Sequence, residues 1–337
     1  MHRRQFILQG SMAALATGLD LSAVALNSQG RIFTVNGPIE PSQMGMTLVH
    51  EHVMVDFAGA NVSTGKAYNP DEVFDIALPY LNEIKNAGCK TFIDCTPSLL
   101  GRDVRILQRL SNATGLNIIT NTGFYGAASE KFLPDSIKKM TAKEVAAAWI
   151  KESQSGIDGT NIRPGFMKLG LDGLPFTESI EKIINAAAFT YKATGLTIGI
   201  HTGKGGEPAL KELEILEKNG VPPKKWIWIH AQNETDLTYH IQLAKRGAWI
   251  SFDGISSKNV DEYITRLKKM KSENLLHRVL VSQDAGWYNV GQEKGGKFRN
   301  YMDFFTHFLP ALRKDGFTDL DIKTLTERNP AEAFRVS

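Results

Sequence analysis

From residue 31 onward, apolar and polar positions settle into one repeating rhythm. Short runs rich in Val, Ile, Thr and Phe fall at Thr47–Val55, Lys90–Cys95, Asn117–Thr122 and Gly165–Leu169, then at Thr197–His201, Trp226–His230, Ala248–Phe252 and Val279–Asp284. Runs of this length and composition predict strands. Between them lie amphipathic stretches. Asp71–Asn86 carries Val73, Phe74, Ile76, Ala77, Tyr80, Leu81 and Ile84, with Gly88 at its end. Thr177–Ala193, Pro208–Asn219, Glu234–Lys245 and Val260–Lys271 repeat the pattern, and Gly195, Gly220 and Gly247 supply helix stops. Alternating strand and helix predicts a parallel sheet closed on itself: α/β, a single-domain (β/α)8 TIM barrel over residues 31–337. An open doubly wound sheet is the alternative, weakened because no Gly-x-Gly-x-x-Gly follows the first strand. Residues Arg31–Met46 are expected to lie across the barrel or to form a small hairpin before the first strand.

The first thirty residues break the rhythm. Arg3-Arg4 precedes Phe6-Ile7-Leu8, then a mildly apolar stretch from Gly10 to Leu19, then the small residues Ala23-Val24-Ala25. The stretch is too short, and too broken by Gly and Ser, to span a bilayer. Residues 1–30 therefore read as a twin-arginine-type export signal and linker, with the mature protein in the periplasm; Asp20 departs from the pattern. Charge adds little: 39 Lys+Arg against 36 Asp+Glu leave +3, too small to imply a nucleic-acid or membrane partner. Cys89 and Cys95 are the two cysteines. In one extended run their Cα atoms stand ~20 Å apart, whereas a disulfide needs less than ~7 Å, so two free thiols are expected.

In a barrel of this kind the active site forms at the C-terminal ends of the strands. The first run there carries His50-Glu51-His52, whose alternation puts both imidazoles on one face, ~6.6 Å apart and able to converge on one metal. The fourth run carries Lys168, the fifth His201, the sixth His230 and the eighth Asp284. Four of the eight histidines, one Asp and one Lys thus occupy strand ends. Nitrogen and carboxylate donors of this type suit Zn²⁺, with Mn, Co or Fe as alternatives. His240, His277 and His307 fall elsewhere and read as structural or solvated.

The combination resembles the phosphotriesterase family of the amidohydrolase superfamily, which includes organophosphate hydrolases and lactonases. The likeness rests on Gly45-Met46-Thr47-Leu48-Val49-His50-Glu51-His52, on His201 and His230, on Ala244-Lys245-Arg246-Gly247-Ala248 through Phe252-Asp253-Gly254-Ile255, and on Asn329-Pro330-Ala331. It spans roughly residues 35–337. The resemblance implies two divalent ions. His50, His52 and Asp284 would bind the more buried one and His201 and His230 the more exposed one. Lys168 would bridge them as an N6-carboxylated lysine, because an ammonium has no lone pair to offer a metal. It further implies a hydroxide bridging the ions as nucleophile, with Asp284 taking its proton. A homodimer is the family expectation for assembly.

The substrate expected is a small ester, a lactone or carboxylic ester ahead of a phosphoester. Tyr125 resembles the tyrosine that family lactonases place over the metal pair. The polar relay of the organophosphate hydrolases has an Asp and a His where this chain has Asn233 and Gly254. Lys204, in Gly203-Lys204-Gly205-Gly206 before a helix start, suggests an anion contact, as does Lys297 in the basic loop after Asp284. Trp287 and Tyr288 are candidates for an aromatic pocket wall. The competing readings are a metal-free Lys168 aldolase and a barrel that binds a small molecule without turnover.

Overall fold

Which side chains of a strand face the barrel axis is decided by alternation, and the core of this protein sorts itself that way. The computed structural model describes residues 30–62 and 67–336. The export signal read at the N-terminus, with its Ala23-Val24-Ala25 site, lies outside the described residues.

An antiparallel hairpin, β1 (Ile32–Thr34) and β2 (Gly37–Ile39), precedes the barrel. The barrel strands are β3 (Thr47–Val55), β4 (Thr91–Asp94), β5 (Asn117–Ile119), β6 (Asn121–Thr122), β7 (Phe166–Leu171), β8 (Thr197–Thr202), β9 (Trp226–Ile229), β10 (Trp249–Phe252), β11 (Val279–Val281) and β12 (Gly286–Asn289). They pair in parallel in two arcs, β12-β3-β4-β5 and β6-β7-β8-β9-β10-β11. The arcs meet where two of the eight expected strands are each interrupted. The third breaks at Thr120 into β5 and β6, and the eighth ends at Val281 and resumes at Gly286. Across the second junction the Asp284 amide donates to the His50 carbonyl (3.0 Å) and the His52 amide to the Ala285 carbonyl (2.9 Å). The architecture is the single-domain (β/α)8 barrel expected.

The crossover helices are α1 (Pro70–Asn86), α2 (Val104–Thr114), the short α3 (Ser136–Lys139), α4 (Ala142–Ser155), α5 (Glu178–Thr194), α6 (Gly206–Lys218), α7 (Leu237–Lys245) and α8 (Val260–Ser272). Local chemistry starts and stops them. Asn69, Asp103 and Thr141 cap α1, α2 and α4 through their side chains, and α5 ends on left-handed Gly195. Periodicity does not single out α4, because its buried stripe is only Val145, Ala146 and Trp149.

Two cores result. Leu48, Phe92, Ile118, Met167, Leu169, Ile198, Ile200, Trp228, Ile250 and Val279 point outward and pack on the helices. Val49, Ile93, Ile119, Phe166, Ile227, Ile229, Trp249 and Leu280 point inward and fill the barrel. The N-terminal end of the barrel is plugged by Ile32 and Met44 from the chain's start and Ala333 and Phe334 from its end, with Phe334 edge-on to Phe166 at 5.2 Å. Full burial of each large side chain contributes about 1.5–3 kcal/mol, so floor and walls are one cooperative core. Cys89 and Cys95 are buried free thiols, as expected. No helix among the described residues is long and apolar enough to cross a membrane.

Candidate metal centre

Above the inward apolar layers the same alternation delivers polar side chains. On β7, Phe166 faces in and so does Lys168. Ser251 follows Trp249 inward on β10, and Asp253 comes next. After β11, Leu280, Ser282 and Asp284 share one phase. His201 takes the inward phase of β8, whose Ile198 and Ile200 pack outward.

Two histidines need a backbone irregularity to join. Val49 faces inward, so strict alternation would turn His50 and His52 away. The register between β3 and β4 shifts between Leu48 and Glu51, a bulge that lets His50 and His52 share the interior with Val49. His230 follows inward-facing Ile229 and would also point away, but it sits in left-handed backbone (φ 62°), which swings its ring over the axis. Asp284 is left-handed too (φ 53°). Non-glycine residues rarely adopt this conformation, and such strain concentrates at functional sites.

The six converge. His50, His52, Lys168, His201, His230 and Asp284 line one cavity of about 150 Å³ with Tyr125, Cys95, Val55, Phe57, Leu100 and Trp287. One donor atom each from His50, His230 and Asp284 lies within 4.8 Å of the others. His52 Nε2 stands 3.1 Å from Asp284 Oδ1, and the His201 ring meets the His230 ring edge-on at 4.3 Å between centroids.

The hydrogen bonds behind these rings fix which nitrogen faces inward. Asp253, fully buried, accepts from His50 Nδ1 (3.0 Å) through Oδ2 and from His230 Nδ1 (2.6 Å) through Oδ1. Ser251 Oγ (2.8 Å), Gln232 Nε2 (3.1 Å) and the His230 amide (3.2 Å) complete its shell. Thr96 Oγ1 donates to the Met54 carbonyl and accepts from His52 Nδ1 (2.8 Å), and Asp94 accepts from the Thr96 amide. With their Nδ1 protons committed, all three rings turn Nε2 lone pairs toward Asp284. His50 Nε2 and Asp284 Oδ1 are buried without a hydrogen-bond partner. Lone pairs facing one another in a buried space are costly unless a cation lies between them, so the donor set fits a metal ion.

Electrostatics agree with that arrangement at His50, His201 and Asp284. Burial drives the His50 imidazole down to about 4. Burial pushes the His201 imidazole well below its ordinary value, helped by His230 and Lys168. His230 moves up, because the Asp253 carboxylate outweighs burial. Burial alone would raise the Asp284 carboxyl, but the imidazoles of His50, His52 and His230 pull it well below the usual carboxylate range. Lys168 is 2% exposed, with Nζ 5.5 Å from the centre of the Tyr125 ring, and it has no hydrogen-bond partner among the described residues.

Sequence reasoning passed over several supporting groups. Asp253 sits at a strand end in the inward phase, the same signal that pointed to Asp284. Glu51 accepts from Ser282 Oγ (2.8 Å) and from the amides of Gln283 (3.1 Å) and Ala285 (2.7 Å), clamping the backbone on both sides of Asp284. Burial pushes this Glu51 carboxyl up to about 8. Arg299 donates to the Asp284 carbonyl (3.2 Å) and the Ile255 carbonyl (2.9 Å), so this member of the basic loop holds backbone.

The expected substrate contacts divide. Tyr125 and Trp287 line the cavity. Tyr288 does not: as Trp287's neighbour on β12 it points the other way, buried against Gly295 and bonded to Glu72 of α1. Lys204 is exposed and absent from the lining, and the Gly206 amide at the start of α6 already donates to the Glu234 carboxylate (2.8 Å). A carboxylate of the protein thus occupies the helix start where an anion was expected, and Lys204 stands away from the cavity. Lys297 is exposed as well. Asn233 is tied to the Gly203 carbonyl (3.0 Å). A Cβ at Gly254 would come 2.7 Å from Tyr263 Oη and 2.9 Å from Gln232 Nε2, so a side chain there would have to displace the ends of those two.

Comparison with known proteins gives the family. The model of the Phosphotriesterase family matches residues 30–334. An aryldialkylphosphatase of Saccharolobus solfataricus is 29% identical over 309 residues, covering 88% of this chain and 96% of that one. A phosphotriesterase homology protein of Escherichia coli is 26% identical, covering 86% and 98%. An N-acetyltaurine hydrolase of Xenopus tropicalis is 24% identical, covering 90% and 97%.

Proposed function

This chain belongs to the phosphotriesterase family and is one of its hydrolases, and from that premise we propose that it cleaves an uncharged ester, a lactone or carboxylic ester, at a binuclear metal centre. The observation that carries the reading is the cavity lining. Six ligand-type side chains form its floor, while Val55, Phe57, Leu100 and Trp287 provide apolar walls, and among the described residues no Arg or second Lys lines it. With Lys168 carboxylated, a substrate with a formal negative charge would find no cationic side chain among the described residues of the lining.

His50, His52 and Asp284 would hold one ion and His201 and His230 the other. Lys168 would be held with them as a carbamate, its ammonium losing two protons as Nζ bonds the carbon of CO₂. Two divalent ions there would supply activated water at neutral pH and a Lewis acid for the substrate's carbonyl oxygen. Asp284, ionised across the neutral range, accepts the water's proton at its carboxylate and hands it to the leaving oxygen. Burial keeps the Tyr125 phenol protonated. Its hydroxyl has no hydrogen-bond partner among the described residues and is free to donate to the ester's leaving oxygen. The apolar walls exclude competing water and pack on a ring or acyl chain.

Phosphotriester hydrolysis is the second reading, favoured by the same neutral cavity. Asn233, tied to the Gly203 carbonyl, and Gly254, with no side chain, offer no ionisable relay behind Asp284, so phosphotriesters are expected to turn over more slowly than lactones. We further infer action in the periplasm, on the strength of Arg3-Arg4 and the apolar stretch behind it. The deciding experiment measures metal per chain on protein purified without chelator, then compares lactones, p-nitrophenyl carboxylates and a dialkyl aryl phosphate. About two metal equivalents with lactones ahead support the reading. Metal-free protein that gains no activity from metal and bicarbonate refutes it.

A further inference from the structure

The loop that follows Tyr125 contains three consecutive residues in left-handed backbone, none of them glycine: Ala128 (φ 55°), Ser129 (φ 56°) and Glu130 (φ 63°). L-residues avoid this region because Cβ crowds the following carbonyl, and they visit it one at a time, not in runs. Something must hold the turn. Both oxygens of Asp172, just beyond β7, are aimed at it. Oδ1 accepts from the Ala128 amide and Oδ2 from the Ser129 amide, each at 2.7 Å. Short bonds to an ionised acceptor are the strong kind.

The turn is tied on both sides. At its start Tyr125 bridges to Gly170 and the Gly126 amide donates to the Gly170 carbonyl (2.8 Å). At its end the Lys131 carbonyl accepts from the Ala60 amide (3.0 Å), in the loop after β3. The next residue, Phe132, is 4% exposed. Its ring stands 5.9 Å from Tyr125 and 6.4 Å from Phe57, both of which line the cavity.

We propose that Asp172 is a specificity-determining positioning residue: by pinning two amides it holds a left-handed turn that seats Phe132 behind Tyr125 and Phe57 and so sets the cavity's apolar wall. Asp172 itself touches no reacting atom. The inference rests on reading that cavity as the substrate site. It requires that Asp172 act on how well a long or bulky apolar substrate binds, and that metal loading and the chemical step stay as they are.

The test is glycine rescue. In Asp172→Ala the KM for p-nitrophenyl decanoate is expected to rise about tenfold. The KM for p-nitrophenyl acetate, kcat for both esters and metal content should stay within about twofold. Hydrogen exchange across residues 126–133 should quicken in the same variant. Adding Ala128→Gly and Ser129→Gly, which remove the penalty for left-handed backbone, should restore most of the decanoate KM. The glycine pair in otherwise wild-type protein should leave both KM values unchanged. An unaltered KM ratio in Asp172→Ala, or a triple variant as impaired as the single one, overturns the proposal. Wild-type protein inert toward both esters marks failure of the ester-hydrolase reading instead. Exchange across 126–133 then decides alone whether Asp172 pins the turn, and unchanged exchange overturns it.

Discussion

Replacing Asp253 by Asn removes one acceptor from a carboxylate that serves two rings at once. Oδ1 serves His230 Nδ1 and Oδ2 serves His50 Nδ1. An amide can accept at only one of these sites, and its NH₂ faces the other ring. That ring must either keep an Nδ1 proton against a donor or move the proton to Nε2, where it blocks the lone pair meant for the metal. Loss of the outer partner of a metal-ligating histidine typically costs 10–100-fold in metal affinity, or about 1.4–2.7 kcal/mol. Asp253→Asn disturbs one ring and Asp253→Ala disturbs both. The expected weakening is therefore about 10–100-fold for Asn and more for Ala. The assay is competition for Zn²⁺ against a chromophoric chelator on chelator-stripped protein, with denaturant midpoints measured on the same samples. A purely structural role would lower the midpoint and spare the metal Kd of the folded fraction. An Asn variant that holds zinc within about threefold of wild type would refute the reasoning, because the shared carboxylate would then not be setting which nitrogen each ring presents.

Tyr125→Phe should lower kcat/KM on lactones about tenfold, the worth of one hydrogen bond, with metal content unchanged; equal kinetics would remove the phenol from the chemistry. Lys204→Ala combined with Lys297→Ala should leave kcat and KM as they are, since both side chains are exposed and off the cavity; a raised KM would show an anion contact. Glu212 is fully buried, with Oε1 accepting from Thr202 Oγ1, and burial raises its carboxyl well above the ordinary value. Above the unfolded carboxyl's pKa only the folded state still holds that proton. Stability is thus lost as pH rises from there to the folded pKa, by up to about 1.4 kcal/mol per pH unit. Gln mimics the neutral acid, so the denaturant midpoint of Glu212→Gln should gain on wild type between pH 5 and pH 8, and a pH-independent difference would contradict this.

Period and parity account for what could be read in the sequence and what could not. Lys168, His201 and Asp284 share the inward phase of their own runs, so placing them at the mouth needed nothing but alternation. His50 and His230 lie out of phase with Val49 and Ile229; their spacing suggested a site, but a bulge and a left-handed residue bring them in. Asp253 carries the same strand-end signal as Asp284, but nothing in its sequence neighbourhood shows that it binds the two histidine rings rather than the metal. Trp287 and Tyr288 could not be separated, since the phase of β12 is reset by positive φ at Asp284, Gly286 and Trp287. The helix start after Lys204 looks the same in sequence whether or not a distant Glu234 reaches it, as it does here.

The barrel floor has a consequence for handling the enzyme. Arg31 pairs with Val336 as an antiparallel bridge, the Lys225 ammonium donates to the Arg335 carbonyl, and Ile32 and Phe334 plug the same opening. Both ends of the described chain therefore emerge side by side on the side opposite the cavity mouth. A bead, electrode or membrane anchor linked at either one would leave the mouth turned toward the bulk solution. Trimming the last few residues, by contrast, would uncork the floor and expose the interior that Phe166 and Trp249 fill from above.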